Sequence, residues 1–142
     1  MQGFSAARRA DWAPRLSEYL VGIAGRKFRP GVLDCALFAA GAVEAMTGKD
    51  PAADYRGKYR EIEAGRAMLR AAGFVDHVAF ASIMFREIAP AFAVPGDIVA
   101  ALGDGDGDGA ALGILQGPNA FFLRPAGLVT VSRLSIEKAF RV

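Results

Sequence analysis

Phe28-Arg29-Pro30-Gly31-Val32-Leu33-Asp34-Cys35-Ala36-Leu37-Phe38-Ala39-Ala40 is the stretch on which the reading of this chain turns. Pro30-Gly31 is turn chemistry, and Asp34 offers a carboxylate to the free amides of a helix beginning beside it. From Cys35 to Thr47 only Glu44 carries charge. A helix that is apolar nearly all round belongs in the interior. Cys35 is the only cysteine and stands at the head of this helix. The positive end of a helix favours a thiolate, which makes Cys35 a candidate nucleophile; a small buried hydrophobe is the other common use of a free cysteine at such a place. The neighbouring alanines, leucine and phenylalanine oppose ionisation by desolvating the thiol.

Upstream, Asp11 to Ala24 reads as a helix capped by Asp11, with Trp12, Leu16, Leu20 and Ile23 on one face and Gly25 as its stop. Downstream, Gly48 ends the buried helix, and Lys49 to Asp54 form a loop. A charged helix is predicted over Tyr55 to Ala72, with Tyr59, Ile62, Met68 and Leu69 inward and Arg60, Glu63, Arg66 and Arg70 wet. After Gly73, the segment Phe74 to Phe85 is predicted helical on the spacing of Val75, Val78, Ala79 and Ser82, with strand as the competing assignment. Beyond Pro90, β-branched runs separated by glycine and asparagine predict strands at Asp97 to Leu102, Ala111 to Gln116, Ala120 to Arg124 and Leu128 to Arg133. They form an antiparallel meander. Ser135 is expected to cap a last helical turn, Ile136 to Phe140. Helices first and strands after predict a segregated α+β fold, with N-terminal helices packed on a C-terminal antiparallel sheet.

At 142 residues the chain is expected to be a single domain, residues 1–142, able to bury about two-thirds of its unfolded surface without staples. A net charge of +2 spread among interleaved acids and bases does not point to nucleic acid, and Arg56-Gly57-Lys58-Tyr59-Arg60 reads as a solvated helix face. One cysteine forbids an internal disulfide, so cytoplasmic folding is expected. The start of the sequence lacks the apolar core of a secretory signal, and no apolar run reaches the roughly 18 residues of a membrane span.

Together with this stretch, Pro95-Gly96-Asp97-Ile98-Val99 and Leu112-Gly113-Ile114-Leu115-Gln116-Gly117 resemble the NlpC-type cell-wall peptidases, which are small papain-like cysteine hydrolases. The resemblance is nearest to an uncharacterised phage and prophage branch, through Thr47-Gly48-Lys49-Asp50-Pro51 and Tyr55-Arg56-Gly57-Lys58-Tyr59, and it runs from about Trp12 to Phe140. It implies a papain-like fold with Cys35 as nucleophile, a histidine at the start of the strand after the Gly-Asp strand, and a polar third residue on the next strand. Those two positions fall here on Ala111 and on Phe122 or Leu123. Alanine, phenylalanine and leucine neither take a proton from a thiol nor deliver one to a leaving amine, the two tasks that acyl transfer from a peptide requires.

His77 is the only histidine. It lies beside Asp76, nothing in the spacing places it against Cys35, and it reads as exposed or locally bonded. Asp104-Gly105-Asp106-Gly107-Asp108-Gly109 begins like a calcium loop, but the closing acid is replaced by Leu115, so a flexible hairpin tip is the better reading. No zinc spacing exists, and no metal or cofactor is expected.

Three functions follow as expectations. The first is a degenerate, non-hydrolytic papain-like domain with a structural or assembly role, partnered by phage tail or assembly proteins and destined for the virion. The second is a cysteine amidase or endopeptidase cleaving peptidoglycan peptides with Cys35. The third is a module that holds a peptide or protein in the vestigial pocket without cutting it.

Overall fold

In a computed structural model that describes residues 3–101 and 111–142, Asp34 caps the helix that follows it. Its carboxylate accepts the Leu37 amide at 3.0 Å, and α2 (Cys35–Thr47) then buries Leu37, Phe38, Ala39, Ala40, Gly41, Ala42, Val43 and Met46. The helix stops at Gly48, whose φ of +83° is left-handed. α1 (Trp12–Ala24) lays Leu16, Leu20 and Ile23 on the core. The Tyr19 hydroxyl donates to the Phe38 carbonyl at 2.7 Å, an approach that needs Gly41, since a Cβ there would lie 2.3 Å from that hydroxyl oxygen. Asp11 does not cap α1 through its side chain. Its carboxylate is taken one turn later by Arg15, at 2.8 Å.

The charged helix is shorter than predicted. α3 spans Ile62–Ala71, and residues 51–57 are turns. Tertiary hydrogen bonds override helical propensity in this segment, as described with the site below. α4 (His77–Met84) also starts later than expected, because Asp76 accepts the Ala79 amide at 2.8 Å and so sets the first turn. Of the residues whose spacing indicated this helix, Val78 is buried, Ala79 is half-buried, and Val75 and Ser82 are exposed.

Among the described residues, these four helices accompany six strands: β1 (Arg86–Ile88), β2 (Ile98–Ala101), β3 (Ala111–Gln116), β4 (Asn119–Arg124), β5 (Gly127–Ser132) and β6 (Lys138–Arg141). They form one antiparallel sheet in the order β1-β6-β2-β3-β4-β5. The expected meander is β2 to β5. The expected terminal helical turn at Ile136 to Phe140 is instead mostly strand. Ser132, not Ser135, caps a short 3₁₀ turn at Arg133–Ser135 by accepting the Leu134 amide. The chain then runs back to place β6 between β1 and β2, where Ile98 pairs with Phe140 and Ile88 with Ala139. Ala139 and Phe140 go to opposite faces of the sheet, the two-residue period of a strand buried on both sides.

That period sorts the whole sheet. Ile98, Ala100, Leu112, Ile114, Leu123 and Phe140 pack under the helices with Phe38, Val43 and Met46. Val99, Leu115, Ala120, Phe122 and Ala139 form a second cluster on the other face with Ala93 and Ile136. Turns cover that face, held by the Arg133 guanidinium, which donates to the carbonyls of Pro90 and Ala93 at 3.1 and 2.9 Å. The architecture is α+β. Among the described residues no helix is long and apolar enough to cross a membrane. The Asp-Gly run at 104–109 lies outside the described residues.

Candidate functional site: a cavity at the head of α2

Residues 51–60 form a strap across the start of α2, fastened at three points. The Gly57 amide donates to the Gly31 carbonyl at 2.7 Å. The Arg56 guanidinium holds Asp50 at 2.7 Å and also donates to the carbonyls of Val32 and Leu37. Tyr59 donates its hydroxyl to Asp34 Oδ2 at 2.5 Å. Each bond takes up a polar group that a continuous helix would have left in water, which is why Tyr55 to Arg60 are not helical. Glycine is required at the fastening. Gly31 has a φ of +80°, and a Cβ there would lie 1.8 Å from the Tyr59 carbonyl oxygen; one on Gly65 of α3 would lie 2.8 Å from the Tyr59 ring.

Beneath the strap is a cavity of about 100 Å³. Its walls are Cys35, Ala36, Ala39 and Ala40 from α2, Pro51, Ala52, Tyr55 and Tyr59 from the strap, Ile62, Arg66 and Leu69 from α3, and His77, Phe80 and Ala81 from α4, with Ile98 and Leu112 from the sheet as floor. The space exists because alanines line it.

Asp34 is 1% exposed and satisfied by three donors, the amides of Gly31 and Leu37 and the Tyr59 hydroxyl. None of these donors is a cation. Its charge therefore acts on Cys35, whose thiol is pushed up to about 11, first by burial and then by Asp34, against the smaller opposing pull of the Ala36 amide and Arg66. Tyr59 is likewise raised, by burial and by its bond to Asp34. Of the two effects opposed in the sequence, desolvation wins over the helix terminus. At neutral pH the sulfur is a thiol.

The positions that the resemblance assigns to catalytic partners do not surround this sulfur. Ala111 and Phe122 belong to the far face of the sheet with the second cluster. Leu112 is the β3 residue in the cavity wall, and Leu123 packs in the core under the helices. His77, which the spacing did not bring to Cys35, does share the cavity with it: each is the first residue of a helix, α4 and α2, and both line the same hollow. The Nε2 atom of His77 is fully buried. Arg66, expected on the wet face of its helix, also lines the cavity while pairing with Glu63 at 2.5 Å. Among the described residues no group of three or more histidine, cysteine or acidic side chains is placed to hold a metal ion.

A family model described as a domain of unknown function, DUF6950, matches residues 7–142. The chain belongs to the DUF6950 family. No curated protein matches this DUF6950 chain. The matched span takes in the strap, the four helices and the whole described sheet, so the hollow is built entirely from DUF6950 sequence. Two signals in that sequence announced parts of it. Asp34-Cys35 marks the helix head; Asp76 next to His77, not read as a cap from the sequence, is the other, since a cap there places the histidine at a helix start.

Proposed function

We propose that this chain is a degenerate, non-hydrolytic relative of the papain-like NlpC-type cysteine peptidases, with a structural or assembly role in a phage or prophage tail. The observation that carries the reading is the wall of the cavity that Cys35 lines: among the described residues the sheet contributes only Ile98 and Leu112 to it. A protonated thiol facing aliphatic strands lacks, on that side, the proton carrier that peptide acyl transfer uses. The phage association rests on the sequence resemblance alone.

The experiment is incubation of the purified protein with peptidoglycan peptides, read by mass spectrometry, alongside recovery of the protein with tail particles. The reading expects intact peptides and co-purification, both unchanged by Cys35→Ala. Peptide cleavage that Cys35→Ala abolishes would overturn it.

One observation favours a second reading, that of a cysteine amidase or endopeptidase with His77 as an unconventional base. The imidazole and the thiol line the same cavity. This reading expects cleavage lost in both Cys35→Ala and His77→Ala with the fold retained. Cleavage that survives His77→Ala would remove it.

A further inference from the structure

We infer that the hollow at the head of α2 is a binding pocket for one uncharged apolar group of about phenyl or isobutyl size, carried by a free small molecule or by a peptide side chain. The inference rests on the non-hydrolytic reading in one respect, that Cys35 serves as wall rather than nucleophile.

Three observations support it. The space is hollowed by short side chains, Ala40 on α2, Ala52 on the strap and Ala81 on α4, all of them 8% exposed or less. A hole of similar order, about 150 Å³ in one engineered protein, takes up benzene. The outer wall is a built feature, because the strap is fastened through Tyr59 and Arg56 and one fastening tolerates only glycine at position 31. The charges at the wall are already engaged within the protein: Asp34 has three donors and Arg66 holds Glu63. An anion near the sulfur would meet the uncompensated charge of Asp34, and a cation would exchange water for alkyl and aromatic carbon. Beside the His77 imidazole and the Cys35 thiol, most of the remaining wall, Ala39, Ala40, Ile62, Leu69, Phe80 and Leu112 among it, offers apolar contact.

The test is titration of the full chain, isotopically labelled, followed by backbone amide NMR. Benzyl alcohol represents the free small molecule and N-acetylphenylalanine amide the peptide side chain, with phenylacetate and benzylamine as charged counterparts. Saturable shifts at the amides around the cavity are expected with at least one neutral ligand, at least tenfold tighter than with its charged counterparts. Ala40→Leu, which fills the space, should abolish them; Ala52→Leu fills it from the strap should the first variant not fold. Response to benzyl alcohol alone assigns the pocket to a small molecule, and response to the amide alone assigns it to a side chain. No saturable shift with either neutral ligand, equal affinity for a charged counterpart, or undiminished binding in a folded filled variant would overturn the inference. Mass spectrometry of the same samples separates the two readings: Cys35-dependent hydrolysis of the amide refutes the non-hydrolytic one, while the shifts alone decide the pocket.

Discussion

Among the described residues two aspartates are buried, Asp34 and Asp97, and their charges are treated oppositely. Asp97, in the Pro95-Gly96-Asp97 turn before β2, draws two cations: Arg8 at 3.0 Å and Arg141 at 3.2 Å. It also accepts the amides of Val94 and Val142. It ties the segment before α1 and the strand β6 to the centre of the sheet. Asp34 has hydrogen bonds of comparable number but no cation among its donors. The difference separates an anchor from a field. At Asp97 the charge is cancelled where it sits; at Asp34 it is solvated by neutral donors and still felt by the sulfur next door.

Asp97→Ala puts this contrast under the greatest strain. Removing the shared partner of two arginines should cost about 3 kcal/mol of stability by urea denaturation, the lower end for a broken buried pair because Arg141 is 45% exposed. Asp34→Ala loses a helix cap and leaves the Tyr59 hydroxyl and the Gly31 amide to find new partners, for about 2 kcal/mol. A larger loss at Asp34 than at Asp97 would reverse the assignment of anchor and field.

Asp34→Asn sharpens the comparison with little change in shape. In the wild type, the pH dependence of Cys35 alkylation should have its midpoint at about 11, and the variant's should fall toward the ordinary cysteine value near 9. An unmoved midpoint would show that burial alone raises the thiol. The same shift has a sign for stability. The folded thiol holds its proton more tightly than the unfolded one, so its contribution is complete below about pH 9 and is lost as pH rises through about 11. Cys35→Ser, with no titration in that range, should flatten this part of the stability profile. The smallest effect is expected from Cys35→Ala near neutral pH, about 1 kcal/mol or less, since the change removes a single sulfur atom that borders a cavity.

Much of this was legible in the residues. α1, α2 and the meander β2 to β5 follow from local pattern, because each is governed by its own periodicity and stop signals. β6 was not. Ile136 to Phe140 is too short to show a period, and its conformation is set by the slot between β1 and β2, whose strands are distant in sequence. Tyr55 to Arg60 failed for a related reason: Tyr59 and Arg56 find their partners in Asp34, Val32 and Leu37, across more than 15 residues. The site divides in the same way. Asp34-Cys35 is a local signal, whereas the sharing of one cavity by Cys35 and His77 depends on how α4 packs against α3 and the sheet, which no spacing between two single residues encodes.

The position of β6 bears on how the molecule comes to be made. Among the described residues β1 has no partner in the sheet but β6, and β2 has its second edge covered by β6 alone. A ribosome delivers β6 after the five other strands, including β1 and β2 between which it must fit, so until Lys138–Arg141 emerge the nascent chain carries an unclosed gap with two sticky rims. Closing that gap is a long-range event, slow by nature. During it the half-built sheet is the form most open to capture by chaperones or by another copy of itself.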